Sequence, residues 1–113
     1  MSEVLDVEEL MEECEDDRQM LARWVEIFER DCEDRLPKME QAVATGDATQ
    51  ILEQAHALKG SVGTFFANAA FETAYQLETL GREGRLQDSQ TCWATLQSQL
   101  SELRQELAKL VQR

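Results

Sequence analysis

Apolar residues recur along this chain in alternating steps of three and four, the period that gathers side chains on one side of an α-helix. Asp6-Val7-Glu8-Glu9 reads as a helix start, because an Asp N-cap accepts from the third residue's N–H while Glu9 can reach back to the cap's own. Val7, Leu10, Met11 and Cys14 follow at helical spacing, and acidic Glu15-Asp16-Asp17 closes this short first helix. A second, longer helix is predicted from about Arg18 to Thr45, with Leu21, Val25, Phe28, Cys32, Leu36, Met39 and Val43 as its core stripe and Trp24 and Ile27 beside it. Pro37 lies inside that stripe, where its missing donor predicts a kink and not a break. Gly46 suits the left-handed position that ends a helix. Asp47-x-x-Gln50 caps the next helix at once, so the second and third helices are predicted to be antiparallel neighbours.

The third helix is predicted from about Ala48 to Phe66, with Ile51, Ala55, Leu58, Val62 and Phe65 facing the core. Asn68 is the expected N-cap of a fourth helix whose inward residues include Phe71, Ala74 and Leu77, and Gly81-Arg82-Glu83-Gly84 reads as the turn that ends it. The last helix, from about Gln87 to Val111, carries Trp93, Leu96, Leu100, Leu103, Leu107 and Leu110. That stripe could also be a homodimer seam, but it spans little more than two heptads, and packing within a bundle is the favoured use. The fold expected is all-α: an up-and-down antiparallel four-helix bundle with a short N-terminal capping helix, forming one domain over residues 1–113.

Composition agrees with helix, since Leu, Ala, Glu, Gln and Arg dominate and there is one Pro. A chain of 113 residues can bury roughly two thirds of its unfolded surface in one core, without a metal or disulfide staple. Eleven basic against 23 acidic residues leave a net charge of −12, which repels nucleic acid and anionic lipid; its plainest use is a well-solvated surface. Cys14, Cys32 and Cys92 are odd in number and lack CxxC spacing, which argues against a disulfide framework or a zinc site and suits a reducing compartment. The first residues carry no basic leader with an apolar core, and no later run approaches the ~18 apolar residues of a membrane span, so a cytoplasmic location is expected.

Most site chemistries find no support. There is one histidine, Glu53 forms a Glu-x-x-His pair with it once only, and no cofactor or metal is expected. Nothing marks a nucleophile and base held by a third group. Glycine-rich phosphate loops are missing too, so neither ATP binding nor autokinase activity is expected.

What remains is His56-Ala57-Leu58-Lys59-Gly60-Ser61-Val62-Gly63. At about 100° per residue, His56, Gly60 and Gly63 cluster on one face, roughly 120° from the centre of the apolar stripe, with Lys59 on its edge. The histidine is therefore expected to point outward. Glycine inside a helix costs about 1 kcal/mol relative to alanine, so two on this face suggest that something approaches the backbone closely. An imidazole is largely neutral near pH 7 and offers a nucleophilic nitrogen, and an ammonium one turn away could neutralise an arriving phosphoryl group. Spacing alone leaves equally open an ordinary surface histidine with a solvated lysine beside it.

Ala55-His56-Ala57-Leu58-Lys59-Gly60-Ser61, followed by Leu77-Glu78 and Gly81-Arg82-Glu83-Gly84, resembles the histidine-containing phosphotransfer (HPt) family. Phe28, Leu36-Pro37 and Gly46-Asp47 resemble the helix that precedes its motif, so the likeness covers most of the chain. The family often has glycine ten residues after the histidine, where this chain has Phe66. The resemblance implies a phosphorelay carrier that accepts a phosphoryl group from a receiver aspartyl phosphate onto His56 and passes it to another receiver. Lys59 would stabilise charge, Gly60 and Gly63 would clear the docking loops, and Mg²⁺ would belong to the receiver. Response-regulator receivers, and a hybrid histidine kinase, are the implied partners of a monomer. Arg35, Leu36 and Met39 lie at the level of His56 across the Gly46 turn, so one reading makes them a docking strip that Leu10 and Met11 could extend, and the other makes Leu36 and Met39 core and Arg35 a solvated side chain. Alternatives are the phosphoacceptor domain of a chemotaxis-type kinase and a non-catalytic helical adaptor.

Overall fold

The computed structural model describes residues 4–112, and among these the chain is all-helical, with no strand. Five helices follow in order: α1 (Val7–Glu13), α2 (Arg18–Thr45), α3 (Ala48–Thr64), α4 (Asn68–Glu83) and α5 (Ser89–Gln112), with a single 3-10 turn at Leu86–Asp88 before the last. Short polar signals place the ends. Asp6 and Asp47 cap α1 and α3 by accepting from the N–H groups of Glu9 and Gln50, and Asp17 caps α2 through Gln19 and Met20. Gly46 and Gly84 close α2 and α4 in the left-handed conformation (φ 72° and 68°), where a side chain would add strain. α2 continues through Pro37 without a break.

The turn between α3 and α4 departs from expectation. α3 ends at Thr64, two residues early, because Phe66 takes the left-handed position with φ 55°. The N–H of Phe66 then bonds the carbonyl of Gly63, and that of Ala67 the carbonyl of Val62, the paired bonds of a Schellman turn. Ala67 is thereby already the N-cap of α4. Asn68 is its first helical residue, and no side chain caps this end.

Each of α2 to α5 packs against two others: α2 against α3 and α5, and α4 against α3 and α5. The α5 stripe is buried throughout, from Trp93 to Leu110, as is the α3 stripe from Ile51 to Phe65. Each fully buried Leu contributes about 1.5–3 kcal/mol of transfer free energy. Polar contacts link the helices around this core. Glu40 accepts from Trp93 Nε1 at 2.6 Å and from Gln97, whereas Glu29, three turns earlier on α2, binds Arg104 further along α5 at 2.7 Å. Leu5, Leu10 and Cys14 of the N-terminal segment join the core, and the Asp6 N–H donates to the Phe66 carbonyl.

On α4, Ala74 and Leu77 face inward as expected, but Phe71 does not. Ala70, Ala74, Leu77 and Gly81 face in, while Phe71 is 39% exposed. Small residues allow α3 and α4 to approach closely: a Cβ on Gly81 would lie 2.8 Å from the backbone nitrogen of Leu52. Gly81 is thus a helix-packing residue rather than part of a turn.

Candidate functional site

His56 projects from α3 with a side chain 69% exposed, and its Nδ1 lies 2.9 Å from Oε2 of Glu78 on α4. Glu78 is buried by contrast. Lys59 Nζ reaches its other oxygen at 2.7 Å, and Arg82 NH2 shares Oε2 with the imidazole at 3.0 Å. One buried carboxylate therefore gathers an imidazole and two cations. Burial alone would raise the Glu78 pKa, but the close N–H contacts from Lys59 and His56, with their charges, outweigh it and hold the carboxyl below its ordinary value. An ionised carboxylate only accepts hydrogen bonds, so the imidazole must carry its proton on Nδ1. That leaves the Nε2 lone pair free for a nucleophilic role.

Lys59 is further enclosed by two rings of α4, with Nζ 5.9 Å from the Phe71 centroid and 5.2 Å from that of Tyr75. Gly63 lies directly under Phe71: a Cβ there would sit 3.4 Å from the ring. Nothing in the chain lies within 4 Å of a Cβ placed on Gly60, so the surface above it is open. Of the two glycines read as clearance for a partner, Gly63 thus has an internal use and Gly60 has none.

The proposed strip on α2 is placed otherwise. Met39 is fully buried, as is Leu10, so neither side chain can offer a docking surface. Arg35 bonds Asp31 at 2.7 Å and Gln54 at 3.0 Å along the seam of α2 and α3. Gln54 lies about 160° around α3 from His56 at 100° per residue, so that seam is not the one bearing the imidazole. Equal distance from the Gly46 turn sets the level along the helices but not the face.

Spacing alone gives Glu78, Arg82, Phe71 and Tyr75 no place at the site. Leu77-Glu78 and Gly81-Arg82-Glu83-Gly84 carry a signal through the family resemblance, Phe71 reads as core by its spacing, and nothing in the sequence marks Tyr75. Among the described residues no group of three or more His, Cys, Asp or Glu side chains is placed to hold a metal ion. Burial pushes the Cys32 thiol up to about 12, which removes it as a nucleophile near neutrality.

The chain matches the Hpt domain family over residues 23–106, about three quarters of its length, and it belongs to that family. Its fold is similar to the crystal structure of histidine-containing phosphotransfer protein B (HptB) from Pseudomonas aeruginosa PAO1. The TM-score is 0.89 and the identity 24%, over 97% of this chain and 96% of that one. No curated protein matches the chain significantly.

Proposed function

We propose that this chain is a phosphorelay carrier in which His56 Nε2 takes a phosphoryl group from the aspartyl phosphate of one receiver domain and passes it to the aspartate of another. Membership of the Hpt family supports the class of reaction. The observation that carries the residue assignment is the exposed imidazole held through Nδ1 by a buried carboxylate. In the accepting step the Nε2 lone pair attacks phosphorus, the bond from phosphorus to the carboxyl oxygen breaks, and the receiver carboxylate leaves with the electron pair. The imidazole keeps its Nδ1 proton and becomes cationic, so Glu78 stabilises the charge that forms on the ring. Lys59 is the candidate neutraliser of the phosphoryl oxygens, and open Gly60 admits the receiver loop. Transfer onward reverses these movements.

The divalent ion of such a transfer belongs, on this reading, to the receiver. The helices are proposed to form one up-and-down antiparallel bundle capped by α1. Contact partners climb in number on one helix as they fall on its neighbour, as in Glu29 with Arg104 and Glu40 with Trp93. A monomer is favoured because the α5 stripe is used up within the chain. Three free thiols fit a cytoplasmic protein, and among the described residues no helix is long and apolar enough to cross a membrane.

Incubation with a ³²P-labelled phosphoreceiver tests the proposal. The wild type should acquire acid-labile, base-stable label and the His56→Gln variant none. Label on that variant, or none on the wild type across a panel of receivers, would overturn it.

A further inference from the structure

Phe71 and Tyr75 are large aromatic residues left 39% and 47% exposed on α4, beside Lys59. They do not merely escape the core. With Glu78 they form a stripe at i, i+4 and i+7 along α4, and all three meet the same atom, Lys59 Nζ: two rings at 5.9 and 5.2 Å and a carboxylate oxygen at 2.7 Å. Gly63 lets the Phe71 ring lie against α3, at the level where it can contact the lysine. Lys59 is correspondingly enclosed. Its side chain is 21% exposed, whereas those of Lys38 and Lys109 are 54% and 68% exposed.

We propose that Phe71 and Tyr75 are positioning residues for the transfer, their rings and Glu78 forming a seat that holds the Lys59 ammonium beside His56. A single ion pair fixes one point of a flexible four-carbon stem, and the rings add attraction from a second side. Both rings favour a cation over their faces. A lysine so held meets an incoming phosphoryl group with little of its conformational freedom still to lose. This inference rests on the phosphotransfer reading for its effect on rate, but the seat itself does not.

Two readouts on the full chain test it. By NMR, the Lys59 methylene protons next to Nζ should show a ring-current shift that Tyr75→Phe keeps and Tyr75→Leu largely loses, with the fold unchanged by circular dichroism. In single-turnover transfer from a saturating phosphorylated receiver, Tyr75→Leu should be slower by about threefold and Tyr75→Phe close to wild type. In a Lys59→Ala background, Tyr75→Leu should cause no further loss. Equal ring-current shifts in wild type and Tyr75→Leu would overturn the seat. So would an undiminished effect of Tyr75→Leu in the Lys59→Ala background, since the ring would then act on the receiver directly. A wild type that takes no label overturns the phosphotransfer reading instead, and the NMR shift still decides the seat.

Discussion

His56 and Glu78, 22 residues apart in the chain, are joined by a 2.9 Å contact between Nδ1 and Oε2. An exposed imidazole is thus oriented by a buried carboxylate on the neighbouring helix. The tautomer follows from the bond, and with it the nitrogen whose lone pair is left free.

This relationship can be broken without touching His56. Glu78→Leu should abolish the preference for the Nδ1–H tautomer, visible in the ¹⁵N shifts of the imidazole. Transfer should slow by about tenfold, as when one oriented electrostatic contact is lost from a reacting centre. A tautomer ratio unchanged by the substitution would show that Glu78 does not orient the ring.

Acid should act through the same carboxylate. Because the folded state holds the Glu78 pKa below its ordinary value of 4.5, its contribution to stability is complete above that value. It is lost as the pH falls through the lowered folded value. Urea midpoints measured at decreasing pH should therefore fall more steeply below about pH 4.5 for the wild type than for Glu78→Gln. Parallel profiles would contradict the assignment.

The glycines separate packing from access. Gly81→Ala brings a methyl within 2.8 Å of the Leu52 nitrogen, a backbone atom that cannot rotate away, and should cost about 1–3 kcal/mol of unfolding free energy. Gly60→Ala meets nothing within the chain and should stabilise it by about 1 kcal/mol through helix propensity, while slowing transfer by crowding the receiver. A Gly60→Ala protein that is more stable and equally fast would remove that glycine from the docking surface.

Phe66 holds a left-handed conformation with φ 55° and is only partly buried. In Phe66→Gly, relief of about 1 kcal/mol of backbone strain should offset much of the lost packing, for a net change within about 1 kcal/mol. Phe28→Ala, by contrast, empties a site 2% exposed and in ring contact with Phe65 at 5.1 Å, and should cost about 3–5 kcal/mol. Chemical denaturation distinguishes the two.

The sequence by itself determined what one helix can decide alone. Caps at Asp6 and Asp47, the left-handed glycine at Gly46, the α3 and α5 stripes and the outward aim of His56 all follow from neighbours within one or two turns. Such local preferences survive folding because tertiary contacts here do not oppose them. Periodicity also set the level of Arg35 and Met39 relative to His56, but not the seam. Arg35 went to Asp31 and Gln54, and Met39 took the core place that its own stripe gave it.

Only the tertiary structure decided which helix flanks the imidazole and with which residues. The rotation of α4 depends on how closely it can approach α3, which Ala70, Ala74 and Gly81 control through their small size. Within that packing Ala74 and Leu77 keep their expected inward places, Phe71 falls at the edge of the buried face as a surface ring over Gly63, and Glu78 lies under the histidine. A single-helix pattern carries the angle of a side chain about its own axis. It does not carry the rotation of the neighbouring helix, which close packing between the two sets.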